Sequence, residues 1–159
     1  MLHFEVDVES VVKAVERARE NLARNIPTAL AMSADLVAVQ AKTVHEYTDR
    51  SNTLTPSIAP DSIEGTFDGG NLSVVVAAGA AYGLFVEKGT RPHTIRPRHR
   101  KALRWPAEGG FVFARKVRHP GTKAMNFLAN ALDAKVAEID EAMQDATALS
   151  FAQAGFDIA

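Results

Sequence analysis

The side chains that could bind a charged partner are concentrated between residues 82 and 123. Within residues 91–123, ten Lys or Arg residues stand against one acidic residue, Glu108, so this segment carries a formal charge of +9. The rest of the chain has eight basic and 18 acidic residues and carries −10. Such asymmetry favours a polyanionic partner, or a second copy of the chain docked head to tail, over a small-molecule substrate.

Residue types that support catalysis are absent or poorly spaced. The chain has no cysteine, no GxSxG nucleophile motif and no GxxxxGK[ST] phosphate loop. Of the five histidines, His93 and His99 could approach His119 across a sheet and bind zinc, but their spacing matches no compact ligand motif and the neighbouring arginines oppose a cation. The alternative is that the histidines supply surface hydrogen bonds. We therefore expect a protein that is not an enzyme and that uses no metal or other cofactor.

The basic loop, residues 91–101, allows several interpretations. Its cations could contact phosphates while Trp105 or Phe111 stack on bases, as in nucleic-acid-binding proteins. These aromatic residues alternate along predicted strands, however, which favours a place in the core, and a charge run is often a solvated loop. Pro92 and Pro97 favour extended backbone, and about ten extended residues span roughly 30 Å, enough to cross a subunit boundary.

The N-terminal half is predicted to be helical. Apolar residues recur at three- and four-residue steps over residues 8–47, with Asp7 as the N-cap and a kink or a break at Pro27. Residues 48–62 are polar and rich in turn-forming types, which indicates a linker.

Strands and a second helix are predicted after the linker. Residues 63–119 contain two β-rich hairpins, the second with PAEGG as its loop, and they hold the basic loop between them. An apolar stripe that includes Leu132 predicts a C-terminal helix over 124–149, and we expect a frayed tail at 150–159.

These patterns predict one α+β domain over residues 1–159. We expect a long N-terminal helix or kinked helix pair, a small and mainly antiparallel sheet of about four strands, and a long C-terminal helix packed on that sheet. No apolar run approaches the 18 residues typical of a membrane span, and the N-terminus lacks the features of a secretion signal.

Five motifs follow one another in a distinctive order. They are Tyr82–Thr90 (YGLFVEKGT), Arg91–Pro97 (RPHTIRP), Ala102–Trp105 (ALRW), Phe111–Arg115 (FVFAR) and Val117–Lys123 (VRHPGTK). With the helical half before them and the closing helix after them, this order resembles the family of tailed-bacteriophage neck proteins, also called minor tail, head-tail joining or tail-completion proteins. One departure is the linker, Thr53–Ile58, which lacks the glycine of the family's Thr-Gly-x-Leu-x-x-Ser-Ile turn.

The resemblance implies a structural virion protein of a phage or prophage, located in the neck or tail region and assembled in the bacterial cytoplasm. It implies a ring that joins head to tail, whose partners are copies of itself, neighbouring head-completion and tail proteins and, non-specifically, packaged DNA, with no membrane. A stand-alone, sequence-indifferent nucleic-acid-binding module remains the first alternative and a metal-dependent hydrolase the second.

The candidate assembly interface comprises the turn that precedes the basic loop and the loop itself. Its residues are Glu87, Gly89, Thr90, Arg91, His93, Arg96, Arg98, Arg100 and Lys101. Gly89 would supply backbone freedom at this turn. Glu87 could pair with a nearby cation such as Arg91 or Arg115, which we favour, or it could be an N-cap or a surface residue.

Overall fold

The computed structural model describes residues 7–68 and 70–157, which form two long helices, one short helix and three small β-ladders. The helices are α1 (Val8–Thr43), α2 (Gly83–Lys88) and α3 (Phe127–Gln153). The strands are β1 (Ile58–Thr66), β2 (Asn71–Ala78), β3 (His93–Ile95), β4 (Leu103–Ala107), β5 (Gly110–Ala114) and β6 (Val117–His119). They pair antiparallel as β1–β2, β3–β6 and β4–β5. The α+β class is confirmed, with three two-stranded ladders in place of one sheet of about four strands.

Helix α1 is a single helix that runs through Pro27 and ends at Thr43, four residues earlier than expected. The predicted N-cap is confirmed, because the Asp7 carboxylate accepts a hydrogen bond from the Ser10 amide at 3.2 Å. Before Pro27, the side-chain amide of Asn21 donates to the Ser150 carbonyl of α3 at 3.1 Å. After Pro27, α1 contributes buried residues to the core, so tertiary contacts on both sides of the proline hold the helix together.

The core lies where α1, α3 and the start of β1 meet. Its buried members are Val37, Ala38, Ala41, Tyr47, Leu54, Ile58, Phe127 and Ala131. The prediction that residues 48–62 form a linker is therefore wrong in part. Leu54 and Ile58 are 1% and 0% exposed, a short 3-10 turn covers Thr55–Ser57, and β1 begins at Ile58. Two apolar side chains anchor this polar segment, and burial of each contributes about 1.5–3 kcal/mol.

The second hairpin has a tighter turn than predicted. Pro106 pairs with Phe111 and Ala107 with Gly110, so only Glu108 and Gly109 form the turn. In the first ladder the pairing is irregular between Pro60 and Ile63, as expected where a proline has no amide hydrogen to donate.

Helix α3 begins and ends later than predicted, and the expected fraying is wrong for residues 150–154, whereas residues 158 and 159 of the predicted tail lie outside the described part of the chain. Ser150 is fully buried, and Ala154, just beyond the helix, is 2% exposed. The predicted apolar stripe is also only partly buried, because Leu132 and Val136 are 49% and 46% exposed. Helix α3 instead packs on α1 through small residues such as Ala131, which let the two backbones approach.

Candidate interaction arm

Residues 90–122 are named the arm. The arm extends from the body of the molecule, which consists of the three helices and the β1–β2 ladder, and it forms two successive antiparallel ladders. The ladder nearer the body pairs His93 with His119 and Ile95 with Val117. The ladder further along pairs Leu103 with Ala114. Among the described elements, β4 and β5 have no extensive packing partner except each other. The basic loop thus lies within a β-structured arm.

The base of the arm is closed by two Gly-Thr pairs. The Thr90 amide donates to the Thr122 carbonyl at 3.0 Å, and the Thr122 amide donates to the Thr90 carbonyl at 3.1 Å. Gly89 and Gly121 precede these threonines with φ of +70° and +91°, a region that L-residues other than glycine rarely adopt. A Cβ at Gly89 would lie 2.5 Å from the Thr122 carbonyl oxygen, and one at Gly121 would lie 2.2 Å from that of Thr90. Glycine is required at both positions by conformation and by space.

Glu87, in α2 just before the arm, binds the start of α3. The predicted ion pair between Glu87 and Arg91 or Arg115 is therefore wrong. The Glu87 side chain is buried, and its carboxylate accepts from the amides of Leu128 at 3.0 Å and Ala129 at 3.4 Å. These amides belong to the first turn of α3, where no preceding turn supplies a carbonyl partner and where the helix dipole favours a negative charge. Glu87 therefore caps α3 from a distant place in the sequence, because Asn126 makes no side-chain cap.

His93 and His119 meet across the arm, whereas His99 lies in the exposed loop beyond them. The rings of His93 and His119 stack with centroids 5.0 Å apart. Nδ1 of His119 accepts from the Gly121 amide at 3.1 Å, and Nδ1 of His93 lies 2.9 Å from the Arg91 carbonyl. Within residues 7–68 and 70–157, no group of three His, Cys, Asp or Glu side chains is placed to hold a metal ion. The hydrogen bonds give this histidine pair a structural role at the arm's base.

A groove of about 970 Å³ runs along the base of the arm. Gly89, Thr90, Arg91 and His93, four of the predicted interface residues, line it. Its other lining residues are Glu46, Tyr47, Thr48, Arg50, Tyr82, Phe85, Val86, His119, Thr122, Lys123 and Met125. The groove's lining thus combines apolar side chains with three cations, Arg50, Arg91 and Lys123, a combination that the sequence did not indicate.

Asp49 orders one wall of this groove. Its carboxylate accepts hydrogen bonds from the amides of Thr55 and Thr53 at 2.8 and 3.3 Å, and from the hydroxyl of Tyr82 at 3.1 Å. The Thr55 amide, followed by the other donors, lowers the pKa of Asp49 from 3.8 to about 2. The spacing of Asp49, Ser51 and Thr53 is typical of polar turns and could have indicated this loop.

The other predicted interface residues lie away from the groove. Arg96, Arg98, Arg100 and Lys101 are exposed in the bends between β3 and β4. None of them belongs to the ion pairs found in the described part of the chain. Their charge is therefore available to a partner.

The aromatic residues of the second ladder are exposed, which corrects the expectation that they lie in the core. Phe111 and Phe113 are 53% and 65% exposed, and Trp105 is 39% exposed. The guanidinium of Arg104 lies 3.6 Å from the centre of the Phe111 ring. An isolated two-stranded hairpin is marginally stable in water. Apolar and cationic side chains together thus form an uncovered surface on this ladder.

Comparisons of the chain with protein-family models, with curated proteins and with solved structures gave no match. No helix in the described residues is long and apolar enough to span a membrane.

Proposed function

We propose that this chain is a structural virion protein of a tailed phage or prophage, a ring-forming neck or tail-completion component that joins head to tail. It acts by binding neighbouring subunits and not by catalysis. The order of motifs along the sequence supports the family, and the exposed arm supports the assembly role.

The observation that carries the assembly role is the chain's large accessible surface. It exposes 12080 Å² at a mass of 17.1 kDa. A compact monomer of this mass exposes about 7,800 Å². The difference is several times the roughly 800 Å² that one partner contributes to a standard interface. A subunit that contacts a neighbour on each side would cover about 1,600 Å², a substantial part of this excess surface.

Charge separation supports repeated contact between copies. The basic loop carries five cations and no acidic residue. Five acidic residues of α3 are exposed: Asp133, Glu138, Asp140, Glu141 and Asp145. Contact between a basic patch on one subunit and an acidic patch on the next is heterologous, and such contacts close into a ring when the rotation permits.

One observation favours the nucleic-acid-binding alternative. Exposed Trp105 and Phe113 lie in the same arm as the basic loop, and aromatic rings beside cations are a common platform for single-stranded nucleic acid. In that alternative, affinity for nucleic acid would be the main function and no ring would form.

The test of the proposed function uses a phage or inducible lysogen that encodes this chain. Deletion of the gene should yield separate heads and tails in electron micrographs, and the intact gene supplied in trans should restore joined particles. A chain with Arg96, Arg98 and Arg100 changed to Glu should not restore them, although its exposed loop contributes little to folding. A control that reverses two exposed cations of α1, Arg17 and Arg24, to Glu should restore joining. Joined particles in the deletion strain would refute the proposal.

A further inference from the structure

An apolar cavity of about 430 Å³ lies between α1, β2 and α3. Its lining residues are Leu30, Ser33, Ala34, Val37, Ser73, Val74, Val76, Leu128, Ala129, Leu132 and Ile139. Leu132 is half exposed at its edge, so the cavity opens to the surface. Its size falls within the range of pockets that hold small ligands or inserted side chains.

Acidic residues lie near this cavity on α3 and in a neighbouring cleft. With 3.6 residues per turn, Asp133 and Asp140 lie beside Val136 on the exposed side of α3, next to Ala129 and Leu132 of the cavity edge. On the other side, Asp35 and Asp61 line a smaller cleft of about 210 Å³ that shares Val74 with the cavity. None of these four carboxylates belongs to an ion pair in the described part of the chain.

The second ladder of the arm carries the complementary features. Phe111 and Phe113 alternate with Val112, and their cross-strand partners are Pro106 and Arg104, so these four residues share one face. Phe111 and Phe113 are more than half exposed on that face. Further cations follow β5 at Arg115 and Lys116.

We infer that the Phe111 and Phe113 face of one copy inserts into the cavity between α1, β2 and α3 of a second copy. The aromatic rings fill the apolar cavity, and each ring can bury about 150–250 Å². The cations of the ladder meet the carboxylates near the cavity, and this charge complementarity selects a second copy as the occupant.

This inference rests on the proposed function and specifies its subunit contact. Insertion of a projection into a cavity elsewhere on an identical chain is a heterologous contact, and it leaves a free projection and a free cavity at the two ends of each dimer. The contact therefore continues from copy to copy, as a ring requires.

Cross-linking of purified chains tests the contact, and the chain's lack of cysteine provides a clean background. One chain carries Pro106→Cys on the aromatic face, and the other carries Ala129→Cys at the cavity edge. Neither change removes an aromatic anchor or a charge. With a short bismaleimide, an equimolar mixture should give cross-linked dimers about tenfold more abundantly than either chain alone. A double variant should give a ladder of higher multimers.

Two further variants make the test specific. Adding Phe113→Ala to the Pro106→Cys chain should reduce the mixed dimer about tenfold while the circular dichroism spectrum stays unchanged, because Phe113 is exposed. Val39→Cys, exposed on α1 and outside the cavity lining, should give no excess over background.

Three results would overturn the inference: abundant Pro106→Cys homodimers, equal cross-linking to Val39→Cys, or no mixed dimer at the highest soluble concentration. The first would indicate that arms pair with each other. Each of these results concerns only the subunit contact, whereas the joining of heads to tails tests the proposed function separately.

Discussion

At the scale of single residues, Glu87 illustrates how one side chain connects two parts of the fold. It is buried at the end of α2, and its carboxylate binds two amides of α3 that lie 41 and 42 residues later in the chain. The adjacent backbone supports the same junction, because the Glu87 carbonyl accepts from the Asn126 amide at 3.1 Å. The position of the arm relative to α3 therefore depends on this residue.

We predict that Glu87→Ala lowers the free energy of unfolding by about 1–3 kcal/mol, the range for loss of charge-assisted hydrogen bonds at a helix N-terminus. Glu87→Gln should lose less, because the amide oxygen still accepts a hydrogen bond. Urea denaturation followed by circular dichroism measures both. Glu46→Ala, an exposed carboxylate at the groove, is the control and should change little. Equal effects of Glu87→Ala and Glu46→Ala would contradict the capping role.

The lowered pKa of Asp49 predicts how the stability of the protein changes at acidic pH. Its folded pKa of about 2 lies below the ordinary 3.8, so its contribution to stability is fully present above about pH 4 and is lost as the pH falls through 2. The stability difference between the intact chain and Asp49→Asn should therefore be largest above pH 4 and should shrink towards pH 2. Urea midpoints between pH 2 and 6 measure it. A pH-independent difference for Asp49→Asn would contradict the assignment.

At the scale of elements, the arm's base is held by backbone geometry. Gly89 and Gly121 have positive φ, and each approaches the carbonyl of the threonine that follows the other. The strands beyond this closure have only three residues each, and β3 is exposed while β6 is half-buried, so the closure fixes where the arm begins.

We expect Gly89→Ala to destabilise the arm's base, because a φ of +70° with a ψ of −178° is nearly exclusive to glycine and costs other residues about 1–3 kcal/mol. The new Cβ would also meet the Thr122 carbonyl oxygen. Amide exchange at His93–Ile95 should accelerate, while exchange in the α1 core should change little. Gly79→Ala is the matched control, since its φ is ordinary and its Cβ would lie 3.7 Å from Ser57. Unchanged exchange at His93–Ile95 would show that the Gly-Thr closure does not hold the arm.

At the scale of the whole molecule, the separation of charge governs what the surface attracts. The basic loop is exposed and its cations make no ion pair within the described residues. The acidic residues of α3 lie outside the arm. The molecule can therefore attract a polyanion and an identical copy through the same cations.

We predict weak binding to duplex DNA that is indifferent to sequence and falls steeply with salt, because phosphate contacts release counterions. Changing Arg98 and Arg100 to Glu should reduce both the affinity and the salt slope. Changing Arg17 and Arg24 to Glu alters the net charge equally and should have less effect. Fluorescence anisotropy across a salt series measures this. Strong preference for one sequence would favour the nucleic-acid-binding module.

The amino-acid sequence alone predicts the α+β class, the helical periodicity of the N-terminal half, the Asp7 cap and the charged loop, because these features depend on neighbouring residues or on composition. It also placed Gly89 and Thr90 at the turn before the arm, since glycine signals unusual backbone locally.

Tertiary packing determines which apolar residues are covered. Leu54 and Ile58 are buried although their segment is polar, whereas Phe113 is exposed although its strand alternates as a core strand does. Alternation specifies that residues share a face, and a packing partner from elsewhere in the chain determines whether that face is buried. Glu87 follows the same rule, because its partners at the start of α3 are distant in sequence and adjacent only once the chain has folded.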